Sequence, residues 1–486
     1  MMQAALREVS AWCGAIELFT GEKEAGSLAA SGVSTDTRTL RPGQLFVPLV
    51  GERFDGHDHL AAAEAAGAVA SLWQAGRERP EGTTLPLIVV SDTLEGLQRL
   101  AASYRDRLGA KVVGVTGSNG KTTTKDLTAS VLAMSLKVVK TEGNFNNHIG
   151  LPLTILRAPA DTEALVLEMG MSGFGEISLL TKIARPDIAI ITNVGESHLL
   201  QLGSRRNIAK AKLEIAEGLA DGGVLIYNGD EPLLAEELEA SPLRADIRRI
   251  TFGAGEACDL RLGEAAATDN GGEFTLLGEA QNEPQDKPQG EPQDEAGFRY
   301  AIPVPGRHNA MNALAAIAAG RLLGLSRQAI AEGLRIAPMT GMRIERTKAW
   351  NGAVVLNDAY NASPTSVRAA IDLIASLKPA EGRRIAVLGD MLELGPDEAE
   401  LHAGIGRYLG AGQAEAVLAY GPLAAHLAGA AAPLYPEGAV THYDNKEQLI
   451  ADLLAQLAPN DLVLVKGSRG MKLEQVVSAL HKGVVG

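Results

Sequence analysis

The stretch that decides the fold is Lys111-Val-Val-Gly-Val-Thr-Gly-Ser-Asn-Gly-Lys-Thr122, in which a β-branched apolar run opens a glycine-rich turn. A strand, such a turn and a Gly-Lys-Thr helix start together form the context in which backbone amides cradle phosphates. Lys121 would reach the β- and γ-phosphates, and the Thr122 hydroxyl would coordinate Mg²⁺. A chance Gly-rich turn is the alternative, but this combination favours ATP binding. The predicted nucleotide-binding residues are Thr116, Gly117, Ser118, Asn119, Gly120, Lys121, Thr122 and Thr123.

Strands and helices alternate on both sides of this loop, which predicts an α/β fold with βαβ units. At 486 residues the chain is long enough for about three domains. We predict a small α/β domain at 1–107, a central phosphate-loop domain with a parallel sheet at 108–337, and a Rossmann-like, doubly wound domain at 338–486. The amphipathic stretch Thr93 to Leu108 is predicted as a helix leading into the central domain.

The formal net charge of −14 argues against nucleic acid or an anionic membrane as the main partner. More than half of this excess lies between residues 264 and 297, where nine acidic residues accompany one basic residue. Within that region the segment at about 279–295 is low in complexity and rich in Glu, Pro and Gln. We expect a disordered surface insertion there, with a docking tail as the less favoured alternative.

Two cysteines, Cys13 and Cys258, lie far apart without further Cys or His at metal-ligand spacing. This pattern excludes a disulfide framework and a thiolate zinc site, and it favours a reducing compartment. The N-terminus lacks the apolar core of a signal peptide, and no apolar run of about 18 residues occurs. We therefore expect a cytoplasmic protein without stable membrane insertion.

Two further polar residues are predicted to follow strands of the central sheet. Glu168 ends the run Ala164-Leu-Val-Leu-Glu168, and His198 follows the run Ile188 to Thr192. Ligands of open α/β sheets bind at the carboxyl edge, and carboxylate oxygens are preferred Mg²⁺ ligands. A strand-end Glu is more often a cap or surface charge, and a lone His more often an ordinary loop residue. Their shared edge beside the phosphate loop favours a metal site.

The order and spacing of these motifs resemble those of the Mur ligases, ATP-dependent enzymes that build the peptide of the cell-wall precursor. The usual phosphate-loop pattern has a glycine five residues before Gly120, where this chain has Val115. The phosphate loop of the Mur ligases also lacks that glycine, so Val115 supports the resemblance. The resemblance implies two Mg²⁺ ions and a carbamylated lysine at Lys212, with Lys210 as the less favoured neighbour; residues alone would suggest a solvated helix face there. It implies catalytic roles for Lys121, Glu168, His198 and Lys212, and metal binding by Thr122, Glu168, His198 and Lys212.

The resemblance continues into the adenine and ribose side of the site. Gly306-Arg-His-Asn-Ala-Met-Asn312 looks like the family's adenine motif, in which Asn amides bond a base edge. Asn309 and Asn312 share one helix face at i, i+3, and helix capping is their alternative role. Arg343 resembles the interdomain arginine near the nucleotide, and Asp358 the carboxylate near the ribose.

Within the family, four further motifs are most similar to those of members that add D-alanyl-D-alanine to UDP-N-acetylmuramoyl-tripeptide: Asn144 to Thr154, Asp358 to Pro364, Leu388 to Gly395 and Lys466 to Lys472. The implied activity is amide ligation through an acyl phosphate, with the last domain closing over the site. The Asp-Asn-Pro-Arg signature of ligases that add meso-diaminopimelate is absent, and Ser363 stands where Asn is more usual. The third residue of the tripeptide stays open, and we expect a monomer. The implied substrate-side residues are Ser34, Thr35, Arg38, Asn361, Ser363 and Ser468.

Two other classes remain as alternatives. A folylpolyglutamate-type ligase would share the ATPase domain but lack the UDP-binding first domain. A phosphate-loop ATPase or kinase of another class, acting as a motor or switch, would need no carboxylate substrate.

Overall fold

The computed structural model describes residues 1–19, 28–268, 270–279, 298–377, 382–410 and 412–484. Almost all of the predicted insertion at 279–295 therefore lies outside the described residues. In the part of the chain that is described, no helix combines the length and apolar character needed to cross a bilayer.

The first part of the chain forms a small α/β layer. Within its described residues, β2, β7, β6, β5 and β4 pair in that order, and β1 pairs with β3. Helix α3 begins where the Asp92 carboxylate accepts a hydrogen bond from Glu95 N, and it ends at Gly109 with a left-handed φ of 61°. The elements are β1 (Gln3–Ala5), α1 (Leu6–Cys13), β2 (Glu17–Phe19), β3 (Ala29–Ser31), β4 (Val33–Ser34), β5 (Leu45–Phe46), a 3₁₀ helix (Gly56–His59), α2 (Leu60–Ala65), β6 (Ala70–Gln74), β7 (Leu87–Val90) and α3 (Thr93–Leu108).

The central part carries the largest sheet of the described chain. Its elements are β8 (Lys111–Thr116), α4 (Lys121–Leu132), β9 (Val138–Lys140), α5 (Gly150–Arg157), β10 (Ala164–Glu168), α6 (Glu176–Ala184), β11 (Ile188–Ile191), α7 (Leu199–Leu202), α8 (Arg205–Leu213), a 3₁₀ helix (Glu214–Gly218), β12 (Val224–Asn228), α9 (Pro232–Ala240), β13 (Arg248–Gly253), β14 (Leu260–Thr268), β15 (Gly271–Glu279), β16 (Arg299–Ile302), α10 (Arg307–Leu322) and α11 (Arg327–Arg335). The strand order is β16-β15-β14-β13-β12-β11-β8-β10-β9. Strand β8 pairs in parallel with β10 on one side and β11 on the other, so the carboxyl ends of these three strands meet.

The last part of the chain forms a third sheet with the order β17-β18-β22-β19-β20-β21 in its described residues. All of its pairings are parallel except that of the edge strand β17 with β18. The elements are β17 (Glu345–Lys348), β18 (Val354–Asp358), α12 (Pro364–Ser376), β19 (Arg384–Gly389), α13 (Glu398–Tyr408), β20 (Ala416–Tyr420), α14 (Ala424–Ala431), a 3₁₀ helix (Ala432–Leu434), β21 (Val440–Tyr443), α15 (Lys446–Gln456), β22 (Leu462–Lys466), a 3₁₀ helix (Arg469–Met471) and α16 (Glu474–Lys482).

The buried cores show how these layers are joined. One apolar cluster runs from the first layer into the central one, so that Leu6 and Leu97 share a core with Leu151 and Leu225. The Tyr104 hydroxyl adds a hydrogen bond of 2.8 Å to the carbonyl of Ala158 across this junction. The two large clusters of the last part are built from Ile344 onward. The first two layers therefore share one apolar core. The apolar cores of the third layer are separate from it.

The predicted fold class is confirmed: parallel α/β sheets lie at the centre of both large regions. The central sheet also has an extension that the strand-helix alternation did not predict. Strands β14, β15 and β16 pair antiparallel, and β14 reaches β15 through a connection of only two residues. A connection that short can join only antiparallel neighbours, because a parallel crossover needs about a dozen residues.

Candidate active site

The phosphate loop lies between the end of β8 and the start of α4. Two of its glycines are required by close contacts as well as by their backbone angles. Gly117 has φ 149°, and a Cβ there would overlap the Thr192 hydroxyl. Gly120 has φ 80°, and a Cβ there would come within 2.5 Å of Asn312 Oδ1. The loop is thus pressed against both the end of β11 and helix α10, which fixes its curvature.

Hydrogen bonds from the segment after β11 hold the loop in this shape. Asn193 accepts from Ser118 N through its carbonyl and from Asn119 N through its Oδ1, each at 3.0 Å. The Thr192 hydroxyl donates to the Asn119 carbonyl at 2.5 Å. The position of the phosphate loop therefore depends on the loop that carries His198.

Two side-chain donors at the phosphate loop have no hydrogen-bond partner among the described residues. Ser118 Oγ and Asn119 Nδ2 are buried and find no hydrogen-bond partner among the residues that the structure describes. Lys121 Nζ donates to the Gly117 carbonyl at 2.8 Å, and burial lowers the pKa of Lys121 while the Glu168 carboxylate opposes that change. Buried unpaired donors are costly unless a ligand satisfies them. Phosphate oxygens at this loop would supply the missing acceptors, so these residues fit a nucleotide.

Thr122 and Glu168, both predicted as Mg²⁺ ligands, are in direct contact. The Thr122 hydroxyl donates to Glu168 Oε2 at 2.8 Å, and Glu168 is 2% exposed. The other carboxylate oxygen, Oε1, accepts from Asn146 Nδ2 at 2.9 Å. A carboxylate and a hydroxyl at one point are the donors that Mg²⁺ takes from proteins, with phosphate and water oxygens completing its shell.

Asn146 is a functional candidate that the residue-by-residue analysis missed. It lies in Asn144-Phe-Asn-Asn-His148, a segment without helical or strand periodicity. Its carbonyl also accepts from Gly170 N at 2.8 Å, which brings it beside the end of β10. The resemblance of Asn144 to Thr154 to a motif of the family was the available signal, and amides are suited to orienting a carboxylate.

His198 and Lys212 lie near enough to Lys121 for its charge to act on both. Burial lowers the pKa of His198, and the charge of Lys121 lowers it further. Lys212 is 1% exposed, and burial lowers its pKa well below the usual value for lysine, with Lys121 acting in the same direction. His198 Nδ1 lies 3.1 Å from Glu393 Oε2 without forming a hydrogen bond of good geometry. Within the described residues no three His, Cys, Asp or Glu side chains cluster as a metal site.

The adenine-side and ribose-side candidates flank the loop from two directions. Asn312 lies next to Gly120, and its amide is 3.5 Å from Asn309 Oδ1. The Arg343 guanidinium stacks 4.2 Å above the Tyr360 ring, and its buried Nε has no partner among the described residues. Asp358 ends β18 and accepts a hydrogen bond of 2.6 Å from Lys466, a buried lysine that the sequence analysis did not single out.

The predicted substrate-side residues are mostly engaged within the protein. Ser34 Oγ donates to the Asp36 carbonyl at 3.0 Å, and exposed Arg38 pairs with the Asp36 carboxylate. Ser468 Oγ accepts from Leu392 N at 2.9 Å, which ties the loop after β19 to the loop after β22. Ser363 Oγ donates to Asn119 Oδ1 of the phosphate loop at 3.2 Å.

Thr35 and Asn361 complete this set. Thr35 follows β4 and is partly buried, and Asn361 accepts a short-range hydrogen bond from Ala362 N. Thr35 stands beside Ser34 and Arg38 in the first layer, whereas Asn361, Ser363 and Ser468 belong to the last one.

Comparison with known proteins identifies the family. The Mur ligase middle domain matches residues 115–320, the glutamate ligase domain of Mur ligases matches 342–469, and the catalytic domain of the Mur ligase family matches 29–105. A UDP-N-acetylmuramoyl-tripeptide–D-alanyl-D-alanine ligase of Bacillus subtilis is 46% identical over 92% of this chain and 93% of its own length. The chain belongs to the Mur ligase family.

Solved structures support the same assignment. Crystal structure I of MurF from Acinetobacter baumannii covers 99% of both chains with 28% identity and a TM-score of 0.84. The MurF ligase from Thermotoga maritima, solved in complex with ADP, covers 93% of this chain and 98% of its own, with 28% identity and a TM-score of 0.78. As a Mur ligase, this chain is an ATP-dependent, amide-forming enzyme.

Proposed function

We propose that this Mur ligase joins D-alanyl-D-alanine to UDP-N-acetylmuramoyl-tripeptide at the expense of ATP. The observation that carries the proposal is the match, over nine-tenths of both chains, to a ligase of that name at 46% identity. A ligase of the same name from Escherichia coli is 34% identical over 96% of this chain. Similarity over the whole chain, with all three regions included, supports a shared pair of substrates as well as a shared ATPase site.

The proposed chemistry has two steps. The terminal carboxylate of the tripeptide attacks the γ-phosphorus of ATP, which gives an acyl phosphate and ADP. The amine of D-alanyl-D-alanine then attacks the acyl carbon, loses a proton, and expels inorganic phosphate as the amide forms. Both steps bring anionic groups together, so the site must neutralise charge and exclude water.

The residues of this chain supply that environment. Lys121 and the amides of the phosphate loop would bind the transferred phosphoryl group, with Ser118 Oγ and Asn119 Nδ2 as additional donors. Thr122, Glu168 and His198 would hold Mg²⁺, which when bound neutralises phosphate charge. Asn146 orients the Glu168 carboxylate through the oxygen that Thr122 does not use. Asn309 and Asn312 would contact the adenine, and Arg343 and Asp358 the phosphate and ribose side.

We further propose that Lys212 is carbamylated and that its carbamate supports a second Mg²⁺. The physical support is the buried, positively charged surroundings of its amine. A lowered pKa leaves more of the amine neutral, and only the neutral amine takes up CO₂. The resulting anion would also relieve the repulsion from Lys121. Lys210, the alternative, is half exposed, and its amine lies 3.8 Å from Glu237 Oε2. Its positive charge is therefore already paired with a carboxylate, and a carbamate at this position would repel Glu237.

The remaining predictions on organisation are retained as proposals. Residues 1–107 would bind the UDP end of the nucleotide substrate, with Ser34, Thr35 and Arg38 as candidate contacts. Residues 108–337 would bind ATP, and residues 338–486 would bring the dipeptide, near Asn361, Ser363 and Ser468. A monomer and a cytoplasmic location remain our expectation. The alternatives are not favoured, because the matched relatives are D-alanyl-D-alanine ligases that align through the first region as well.

The direct test is phosphate release from ATP and Mg²⁺ with the two substrates added singly and together. We expect sustained release when UDP-N-acetylmuramoyl-tripeptide and D-alanyl-D-alanine are both present. Turnover that is independent of the dipeptide would overturn the ligase proposal and return the chain to the general ATPases.

A further inference from the structure

Polar contacts join the loop after β11 to the last domain. His198 of this loop approaches the Glu393 side chain, and Leu200 N, in the helix α7 that follows, donates to the Glu393 carbonyl at 3.2 Å. The same loop reaches the N-terminus of α12 through Glu196. The large apolar clusters of the last domain contain no residues of the central domain. Movement of the last domain would therefore break these polar contacts without opening an apolar core.

Glu196 makes the most specific of these contacts. Its Oε2 accepts from the Thr365 hydroxyl at 2.7 Å and from Thr365 N at 3.2 Å. Thr365 lies in the first turn of α12, a helix of 13 residues, where backbone N–H groups lack intrahelical acceptors. A carboxylate at this position gains from the ionic hydrogen bonds and from the helix dipole. Glu196 therefore stabilises the position of α12 against the central domain.

This contact is continuous with the phosphate loop. Ser363, the N-cap of α12, donates to Asn119 Oδ1 at 3.2 Å. Gly195 lies between Asn119 and Thr365, since a Cβ there would be 3.0 Å from Asn119 Nδ2 and 3.7 Å from Thr365 Oγ1. One helix terminus thus contacts both the loop that would bind the transferred phosphate and the loop that carries His198.

We propose that Glu196 and Thr365 form a latch, a pair of positioning residues that holds the last domain closed over the phosphate loop. The inference rests on the proposed function, because it assigns the dipeptide to the last domain. Neither residue belongs to the phosphate loop or to the proposed Mg²⁺ ligands. Their effect is to raise the fraction of enzyme in which the dipeptide site faces the acyl phosphate.

The latch predicts a particular kinetic effect. A ligand that binds productively only to the closed form has an apparent affinity reduced by the closed fraction. Removing the latch should therefore raise the KM for D-alanyl-D-alanine, while saturating dipeptide restores closure and with it kcat. We expect Glu196→Ala to raise this KM by about tenfold and to keep kcat within about twofold, as loss of a pair of charge-assisted bonds implies.

The test uses the full-length enzyme and a double-mutant cycle. Glu196→Ala and Thr365→Val each break the hydroxyl-carboxylate bond, and the double variant should have a KM close to that of the worse single variant. Thr365→Ser keeps both donors and should retain the parent KM. Glu437→Ala, an exposed change on the loop before β21, serves as the matched control.

Three results would overturn the latch. These are a parent-like KM in Glu196→Ala, multiplication of the two single effects in the double variant, or a KM in Thr365→Ser as high as in Thr365→Val. Failure of the proposed function is distinguishable, since the parent enzyme itself would then form no product from the two substrates.

Discussion

At the scale of single residues, two hydrogen bonds determine the orientation of the Glu168 carboxylate. Thr122 and Asn146 each bond a different oxygen, so the side chain has one orientation in the site. Burial makes both bonds stronger than they would be in water. The orientation of the Glu168 carboxylate is therefore set before any ligand binds.

Removing the Asn146 amide tests this orientation. We expect Asn146→Ala to lower kcat/KM by about 10- to 100-fold and to raise the Mg²⁺ concentration needed for half-maximal rate, as loss of an outer partner of a metal ligand does. Asn147→Ala is the matched control, because Asn147 Oδ1 accepts from Gly150 N at the start of α5 instead. Equal Mg²⁺ dependence in the two variants would contradict the assigned role.

Lys212 gives a second prediction at this scale. Lys212→Ala should lose most activity and regain part of it on addition of short-chain carboxylic acids, because such an anion can occupy the place of the carbamate. Steady-state rates with and without acetate or formate measure the rescue. Lys210→Ala is the control and should keep activity. Full activity of Lys212→Ala without added acid would remove the carbamate.

The sequence predicted some of these residues and missed others for physical reasons. Glu168 was predictable because a parallel strand delivers its last residue to the carboxyl edge of the sheet. Asn146 was not, because its partner lies 22 residues away and the intervening chain gives no periodic signal. Lys466 ends a strand, where a lysine is usually solvated, and only the tertiary structure pairs it with Asp358.

At the scale of elements, the conformation of the phosphate loop depends on the residues packed against it. Its glycines are packed against Thr192 and Asn312, so the loop depends on elements more than 70 residues away in the chain. Helix α3 has the bounds of the predicted amphipathic stretch, and in the structure the Asp92 cap and Gly109 define its two ends. Strand β17 was not predicted, since Glu345-Arg-Thr-Lys348 has the polar composition of a solvated edge.

The loop's packing makes a prediction for Gly117. Gly117→Ala should weaken binding of ATP by at least about tenfold, since the added Cβ overlaps the Thr192 hydroxyl and displaces the loop. Isothermal titration with a non-hydrolysable ATP analogue measures this. Gly76→Ala has φ 83° and open space around its Cβ, so it carries the backbone strain without the overlap and should bind normally. Normal binding by Gly117→Ala would contradict the packing argument.

At the scale of the whole molecule, the first two regions share one apolar core, and the last region has cores of its own. Leu6, Leu97 and Tyr104 pack in the same core as Leu151 and Leu156. The last region has its own cores and meets the others through polar contacts at the site. Closure of the last domain would therefore exchange polar contacts without exposing a core.

This division predicts the behaviour of fragments. A fragment of residues 338–486 should fold alone and unfold cooperatively, as should 1–337, whereas 1–107 should not, because it would expose the apolar face that it shares with the central layer. Thermal unfolding followed by circular dichroism is the measurement. A cooperative transition for 1–107 would show that the shared core is dispensable.

The proposed reaction of this Mur ligase forms one amide bond between two specified substrates. Mass spectrometry of a reaction containing the enzyme, ATP, Mg²⁺, UDP-N-acetylmuramoyl-tripeptide and D-alanyl-D-alanine tests it most directly. We predict a product whose mass is the sum of the two substrates less one water, absent with Lys121→Ala. ADP and phosphate released while the tripeptide nucleotide keeps its original mass would contradict the claim.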